Sequence, residues 1–141
     1  MDRDALLLPM LAQVFLTFLV FAWMYLTRLR AIRAGNVALQ DLKDRADVSR
    51  LLASVAGPSN NLSNLFELPT LFYAVVIVLY VTNRVSPTYL ALAWVFVGLR
   101  YVHSAIHCTV NHVASRFGAY FISALALWAM WALYARELLT S

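Results

Sequence analysis

Four long runs of apolar residues, separated by polar connections, dominate the pattern of this chain. They cover residues 5–33, 61–82, 87–111 and 116–138. A helix of about 20 residues crosses the hydrocarbon core of a bilayer, which is about 30 Å thick. The pattern therefore predicts an all-α integral membrane four-helix bundle, with residues 1–141 forming one transmembrane domain.

The connections between the runs differ greatly in length. Residues 34–60 are the one sizeable polar connection and are predicted to be an extramembrane loop, with a candidate surface helix at residues 37–55. Gly57 and Pro58 form a turn signal before the second run. Pro69 predicts a kink near the start of the second helix, because proline interrupts the backbone hydrogen bonds of a helix.

Composition agrees with a membrane protein. Hydrophobic residues make up 62% of the chain and charged residues 13%, whereas soluble domains average about 25% charged residues. The first run is interpreted as a retained anchor, because it lacks the basic start and small-residue cleavage site of a signal peptide. The single cysteine, Cys108, excludes an internal disulfide and gives no basis for a metal–thiolate site.

The net charge of +4 is concentrated near the ends of the runs, which suits membrane topology rather than nucleic-acid binding. If the helices alternate in direction, one side carries Arg28, Arg30, Arg33, Lys43, Arg45, Arg50 and Arg116. The other side carries only Arg3, Arg84 and Arg136. The positive-inside rule then predicts a cytoplasmic long loop and both termini outside, in a bacterial inner membrane or an endomembrane.

One carboxylate, Glu67, lies at the start of an apolar run. An ionised carboxylate inside a membrane costs about 2.5 kcal/mol or more, so such residues are usually turned to the bundle interior and functional. Asn60, Asn61 and Asn64 precede it, and Asn64 shares a helical face with Glu67 because the two are three residues apart.

A second polar group lies in the third run. Arg100, His103, Ser104 and His107 have the spacing that places four side chains on one helical face. Glu67 lies about 9 Å, and Arg100 about 16 Å, from the cytosolic ends of their helices. Pairing of Glu67 with Arg100 across the bundle is therefore feasible.

Three interpretations of these polar residues remain open. A Glu67–Arg100 ion pair that only fixes helix register is the structural one. A ligand-binding site would explain the additional histidines, serine and asparagine. A haem or metal site is the third, because His103 and His107 are four residues apart, although no further ligand is placed at the same depth, so no metal is predicted.

Several segments together resemble the MAPEG family, the membrane-associated proteins of eicosanoid and glutathione metabolism, which include microsomal glutathione transferases. The resemblance spans nearly the whole chain. Beside the four runs and the long basic loop, the segments are Asn64-Leu-Phe-Glu67, Arg100-Tyr-Val-His-Ser-Ala-Ile-His107 and Arg116-Phe-Gly-Ala-Tyr120.

The resemblance implies a homotrimer in the lipid bilayer that binds glutathione, as a co-substrate, between neighbouring subunits near the cytosolic face. It implies that Asn64 and Glu67 contact the tripeptide from the second helix, and Arg100 and His103 from the third. Arg116 is the implied arginine near the thiol. The remaining candidates for the binding set are Ser104, His107, Tyr120 and Arg30.

Two positions depart from the family pattern. Asn60 stands where the family has an arginine seven residues before the glutamate, and His107 stands where it has a tyrosine that binds glutathione. An amide does not replace the bidentate contact of a guanidinium with a carboxylate. The missing arginine therefore favours the alternative of a non-catalytic membrane protein with the same fold.

The predicted chemistry follows from the groups on glutathione. Arg100 and Arg116 are suited to its carboxylates and sulfur, and Glu67 to its ammonium. A thiol with a pKa near 8.5 is mostly protonated at neutral pH, and only the thiolate attacks. Arg116, the predicted catalytic residue, would favour the thiolate. The resulting prediction is a membrane-bound glutathione-dependent transferase or peroxidase acting on lipophilic electrophiles that enter from the bilayer.

Overall fold

The computed structural model of the chain describes residues 3–35 and 37–140, with side chains from Asp4 onward. Residues 1, 2, 36 and 141 of the predicted domain, and the side chain of Arg3, lie outside the described residues. The described part contains six α-helices and no strand. They are α1 (Leu7–Ala34), α2 (Arg45–Leu51), α3 (Ala56–Leu65), α4 (Leu68–Val81), α5 (Pro87–Cys108) and α6 (Val113–Leu139).

Four stretches of these helices are long and apolar enough to cross a membrane: Asp4–Ala34, Ala53–Val81, Pro87–Cys108 and Val113–Leu139. The all-α four-helix membrane fold predicted from the pattern is therefore confirmed.

The second span is not one continuous helix. α3 ends at Leu65 and α4 begins at Leu68, and Glu67 lies in the break with φ −90° and ψ −98°. The cause is Pro69, which has no N–H and whose ring clashes with the carbonyl four residues earlier in a continuous helix. The sequence predicted a kink at this proline. Instead the helix is fully interrupted at residues 66 and 67, just before it.

The second span also begins earlier than the predicted residue 61. α3 starts at Ala56, so Gly57 and Pro58 lie in its first turn rather than in a turn outside the helix. Proline is tolerated in a first turn, where its missing N–H would have had no partner. Gly57 is needed here because a Cβ would lie 3.0 Å from the carbonyl oxygen of His107.

The connection between α5 and α6 lies three residues earlier than predicted, at residues 109–112 rather than 112–115. α5 ends at Cys108 rather than 111, and Asn111 has a positive φ of 50°, which an asparagine tolerates. α6 begins at Val113 rather than 116, because the His112 side chain accepts a hydrogen bond from the N–H of Ser115 and caps the helix.

The long loop carries less regular structure than the surface helix predicted for residues 37–55. Only α2, Arg45–Leu51, is an α-helix there, between the short 3-10 turns Leu39–Leu42 and Ala53–Val55.

The main core lies between α4, α5 and α6, where the Phe72 and Phe96 rings stack with their centroids 4.5 Å apart. A smaller cluster of Leu16, Val20 and Leu65 joins α1 to α3. Many large apolar side chains, such as Phe18 at 60% exposure, face outward. Such a surface suits lipid rather than water.

Two ends of the bundle can be distinguished by their contacts. At one end the Arg28 guanidinium donates to the Ser59 hydroxyl over 2.8 Å, which joins the end of α1 to the start of α3. At the opposite end Arg84 and Glu137 approach to 3.8 Å. The connection between α5 and α6 lies at the first end, because Gly57 packs against His107.

Candidate functional site

Arg100 is fully buried in the middle of the bundle, at 0% exposure. Its Nη2 donates to the carbonyl oxygen of Asn64 over 3.0 Å. That carbonyl belongs to the last turn of α3, where the helix break removes intrahelical partners, so the guanidinium serves as a C-terminal cap. Within the described residues, Nε and Nη1 of Arg100 are buried without a hydrogen-bond partner.

Tyr120 of α6 lies between the two charged residues of the site. The guanidinium carbon of Arg100 is 5.1 Å from the centre of the Tyr120 ring, which is a cation–π distance. The Tyr120 hydroxyl donates to Oε2 of Glu67 over 3.5 Å, at the outer limit of a hydrogen bond. Arg100 and Glu67 therefore both contact Tyr120, from different sides.

The direct Glu67–Arg100 ion pair considered from the sequence is not formed among the described residues, where no carboxylate oxygen lies within 4.0 Å of the Arg100 guanidinium. The reason is the break in the second span, which leaves Glu67 exposed on the subunit rather than buried. The interpretation of these residues as a buried Glu67–Arg100 ion pair is therefore not supported in the single subunit.

His103 connects α5 to the first turn of α6. Its Nδ1 donates to the carbonyl oxygen of Arg116 over 2.9 Å. A carbonyl can only accept, so the proton of a neutral His103 lies on Nδ1 and Nε2 is left as an acceptor. In the described structure Nε2 is buried with no partner.

Arg116 is half-buried, and its guanidinium donates to the side-chain oxygen of Asn111. The asparagine precedes α6 and the arginine lies in its first turn, so this contact closes the connection between α5 and α6. The Asn111 contact holds the side chain of Arg116, and the His103 contact holds its backbone carbonyl. The position of Arg116 is therefore fixed by two contacts.

Four of the predicted site residues line one cavity of about 240 Å³, together with two apolar residues. The cavity is lined by Asn64, His103, Val113, Arg116, Phe117 and Tyr120. It lies where the end of α3, the second half of α5 and the start of α6 meet.

Ser104 and His107 are buried but do not line this cavity. The Ser104 hydroxyl donates to Oδ1 of Asn61 over 3.4 Å, and Nδ2 of Asn61 donates to the sulfur of Cys108 over 3.5 Å. The His107 and His103 rings meet edge to face, with centroids 5.4 Å apart. These residues therefore form a polar layer beside the cavity that joins α3 to α5.

Arg30 is exposed on α1 and is not among the described residues that line the cavity. Arg28, two residues earlier, is the arginine of α1 that contacts α3. Asn60, the position that departs from the family pattern, lines a separate cavity beside Arg28.

Sequence reasoning missed Phe117 and Val113 as lining residues. Phe117 directly follows Arg116, and no spacing in the sequence marks it as part of a site. It also missed the role of Asn61, which is fully buried. The sequence did contain a signal for this role. Asn61 opens an apolar run and precedes Asn64 by three residues, so the two amides share a helical face.

The metal and haem interpretations find little support in the geometry. Among the described residues, no group of three or more His, Cys, Asp or Glu side chains could hold a metal ion. His103 and His107 lie on the same helix, and their ring planes are nearly perpendicular, with an interplanar angle of 88°. They do not face each other across the gap that a haem with two histidine ligands requires.

Comparison with known families decides the relationship. The family model described as the MAPEG family matches residues 6–136. The chain belongs to the MAPEG family. Comparisons with curated proteins and with solved structures gave no significant match. MAPEG membership and four apolar spans together identify a multi-pass integral membrane protein, and the MAPEG family includes glutathione transferases and peroxidases.

Proposed function

We propose that this MAPEG protein is a membrane-bound, glutathione-dependent transferase or peroxidase that acts on lipophilic electrophiles. The observation that carries the proposal is the convergence of Asn64, His103, Arg116 and Tyr120 on one cavity. Glu67 and Arg100 adjoin it through Tyr120. Amide, imidazole, guanidinium and phenol groups around a small cavity are suited to a polar, multiply charged ligand.

The charges fit glutathione group by group. Its carboxylates suit the cation of Arg100, its sulfur suits that of Arg116, and its ammonium suits Glu67, whose carboxylate is exposed. In the described structure the buried Nε and Nη1 of Arg100 lack partners, and buried charged donors gain most from a charged acceptor. A carboxylate of glutathione would supply that acceptor.

Arg116 is the proposed catalytic residue. A guanidinium near the sulfur lowers the pKa of the glutathione thiol, and one to two pKa units correspond to about 1.4 to 2.7 kcal/mol. Its position in the first turn of α6 adds the positive end of the helix dipole. In the transferase reaction the thiolate forms a bond to an electrophilic carbon as the bond from that carbon to its leaving group breaks, and the leaving group departs with the electron pair. In the peroxidase reaction the thiolate attacks an oxygen of a lipid hydroperoxide, the O–O bond breaks to release the alcohol, and a second glutathione reduces the sulfenic acid to the disulfide and water.

The small size of the cavity favours a binding site that a partner subunit completes. Ligand pockets usually measure about 300–1,000 Å³, whereas this cavity measures about 240 Å³ in one subunit. The exposed Glu67 contacts Tyr120, one of its lining residues. We therefore propose a homotrimer in which glutathione binds between neighbouring subunits, with Arg30 of α1 facing a neighbour.

The topology proposal follows from the charges. The end of the bundle that carries Arg28 and Arg116 is the more basic one, so the positive-inside rule assigns it to the cytoplasm, with both termini outside. Reporter fusions to the termini test this. A fusion to the C-terminus that is active only in the cytoplasm would contradict the topology.

The test of function is a pH titration of the thiolate ultraviolet absorbance of bound glutathione, for the wild type and Arg116→Ala. We expect the variant to bind within about tenfold of the wild type by isothermal titration, because Arg100, Asn64 and Glu67 remain. The thiolate signal should disappear at neutral pH, and turnover should fall by about 10- to 100-fold, which matches one to two pKa units.

Arg136→Ala is the matched control, since Arg136 is an exposed arginine at the other end of α6. It should leave binding, absorbance and turnover unchanged. If the absorbance titrations of the wild type and of Arg116→Ala both coincide with that of free glutathione, Arg116 has no role in forming the thiolate. The absence of any glutathione binding would favour the non-catalytic alternative, which the missing arginine at Asn60 also favours. A Soret band in purified protein would favour the haem alternative.

A further inference from the structure

Asn111 lies in the connection between α5 and α6 in a conformation that few residue types adopt. Its φ is 50°, in the left-handed region that glycine, asparagine and aspartate tolerate best. Its N–H donates to the carbonyl oxygen of Ile106 over 2.7 Å, near the end of α5. The backbone of Asn111 is therefore held by α5, and this fixes the direction in which its exposed side chain leaves the connection.

The side chain of Asn111 holds the guanidinium of Arg116. Nη1 of Arg116 donates to Oδ1 of Asn111, five residues earlier in the chain. Within the described residues, no carboxylate oxygen lies within 4.0 Å of the Arg116 guanidinium. The amide oxygen is a neutral acceptor, so this contact fixes one nitrogen of the guanidinium and leaves its positive charge uncompensated. The other nitrogens carry further N–H donors for a ligand.

Asn111 lies outside the candidate glutathione site. Arg116 lines the cavity of about 240 Å³ that His103 and Tyr120 also line, whereas Asn111 does not. Asn111 lines an adjoining, more open cavity that shares Val113 with the first. Any effect of Asn111 on a ligand in the site therefore passes through Arg116.

The place of the Arg116 charge matters because the Coulomb energy between a cation and a thiolate falls as their separation grows. Arg116 is only half-buried, so without an anchor its long side chain is free to turn toward water. His103 holds the backbone carbonyl of Arg116 but not its side chain. Asn111 thus makes the described contact that sets where the charge lies.

We propose that Asn111 is a positioning residue for the glutathione reaction, a neutral anchor that holds the Arg116 guanidinium at the cavity and leaves its charge for the sulfur. This role rests on the proposed function, in which Arg116 stabilises the thiolate. An amide suits the role better than a carboxylate, because an aspartate at this position would hold Arg116 but compensate its charge.

Two substitutions separate the anchor from the charge. Asn111→Gly keeps the left-handed backbone and removes the anchor, whereas Asn111→Asp keeps the anchor and adds a negative charge. The measurement is the pH titration of the thiolate absorbance of bound glutathione on the full-length protein, with turnover at saturating glutathione. If loss of the anchor doubles the separation of guanidinium and sulfur, the lowering of the thiol pKa is halved. Turnover should then fall by about 3- to 10-fold in Asn111→Gly.

Asn111→Asp should have the larger effect on turnover, about 10- to 100-fold as for Arg116→Ala, because the ion pair cancels the charge. Its thermal unfolding temperature should not fall, since a carboxylate is favourable at the start of a helix such as α6. A contact that serves only the fold would give the opposite order, with the aspartate closer to the wild type than the glycine. That order would overturn the neutral anchor.

Asn83→Gly is the matched control. Asn83 is the other described non-glycine residue with a positive φ, at 55°, and it lies in the connection between α4 and α5 at the opposite end of the bundle. It should leave the titration and turnover unchanged. A double variant is the second control, because an anchor that acts only through Arg116 has nothing left to hold in Arg116→Ala. Adding Asn111→Gly to that variant should change turnover by less than about twofold.

The outcomes separate the positioning role from the proposed function. A wild type whose bound glutathione titrates like free glutathione would overturn the proposed function, and the role of Asn111 with it. Three results would overturn the role of Asn111 alone, in a wild type that does lower the thiol pKa. They are an unchanged titration in Asn111→Gly, an equal loss in Asn83→Gly, and a loss in Asn111→Gly that adds in full to that of Arg116→Ala.

Discussion

Tyr120 is the residue on which the opposite charges of the candidate site converge. Its ring lies 5.1 Å from the guanidinium carbon of Arg100 and 5.6 Å from the ring of His103, and its hydroxyl reaches Glu67. The ring contacts α5 and the hydroxyl contacts the break between α3 and α4. The aromatic face and the hydroxyl therefore have separable roles.

Two variants of Tyr120 separate them. Tyr120→Phe keeps the ring and loses only a 3.5 Å hydrogen bond, so the free energy of unfolding should change by less than about 0.5 kcal/mol. Tyr120→Leu removes the cation–π contact and should cost about 1–2 kcal/mol. Thermal unfolding in detergent measures both. Equal losses in the two variants would contradict the role assigned to the ring.

Glu67→Gln distinguishes a ligand contact from a structural ion pair. Because Glu67 is exposed and its one described contact is with Tyr120, we expect the free energy of unfolding to fall by less than about 1 kcal/mol. Glutathione affinity should fall about tenfold or more, as for a lost charge-assisted hydrogen bond. Breaking a buried ion pair would instead cost about 3–5 kcal/mol.

Glu137→Gln is the control for this change, because Glu137 is a carboxylate that approaches Arg84 at the other end of the bundle. It should leave glutathione affinity unchanged. A large loss of stability in Glu67→Gln together with unchanged affinity would support the structural ion pair.

At the residue scale, the sequence predicted which polar side chains share a buried helical face better than it predicted their contacts. The spacing of Arg100 and His103 correctly placed both on one buried face of α5. It could not predict that Arg100 contacts a backbone carbonyl rather than Glu67, because that contact depends on where α3 ends. It also could not predict that Arg30 faces away while Arg28 faces α3, since the rotation of α1 depends on its packing.

The interruption of the second span is the element that organises the site. It frees the carbonyl of Asn64 for Arg100 and exposes Glu67. Pro69 was the signal for a bend, but proline does not determine whether the helix kinks or ends. The early start of α3 could not be predicted for a similar reason. Gly57 and Pro58 indicate a turn when considered alone, but the first turn of a helix also accepts both residues.

A pair of glycine variants tests the packing of α3. At Gly57 a Cβ would lie 3.0 Å from the carbonyl oxygen of His107, so Gly57→Ala should push α3 away from α5 and cost about 1–3 kcal/mol. At Gly98 a Cβ would meet nothing within 4 Å, so Gly98→Ala should stabilise α5 by about 0.5–1 kcal/mol.

Thermal unfolding of the two variants gives the comparison. Because Gly57 lies beside the polar layer formed by Asn61, Ser104 and His107, its variant should also weaken glutathione binding, whereas Gly98→Ala should not. A stabilised Gly57→Ala would mean that α3 and α5 are not in close contact at this point.

At the scale of the whole molecule, the surface of one subunit combines two kinds of exposed residue. Large apolar side chains such as Phe18 and Phe121 are exposed and suit contact with lipid. Glu67 is exposed as well, yet it lies within the apolar span Ala53–Val81. A carboxylate that faces lipid is costly, by about 2.5 kcal/mol or more. The single subunit therefore leaves a surface around Glu67 that needs a polar cover.

We expect a neighbouring subunit to provide that cover, in the homotrimer proposed above. A neighbour would also enlarge the 240 Å³ cavity toward the size that glutathione requires. Native mass spectrometry in a mild detergent should detect trimers, and glutathione should increase their share because it would bind between subunits. The Arg116→Ala variant, which keeps the other binding residues, should respond to glutathione in the same direction. Monomers alone, at every protein concentration and with saturating glutathione, would contradict both the trimer and a site shared between subunits.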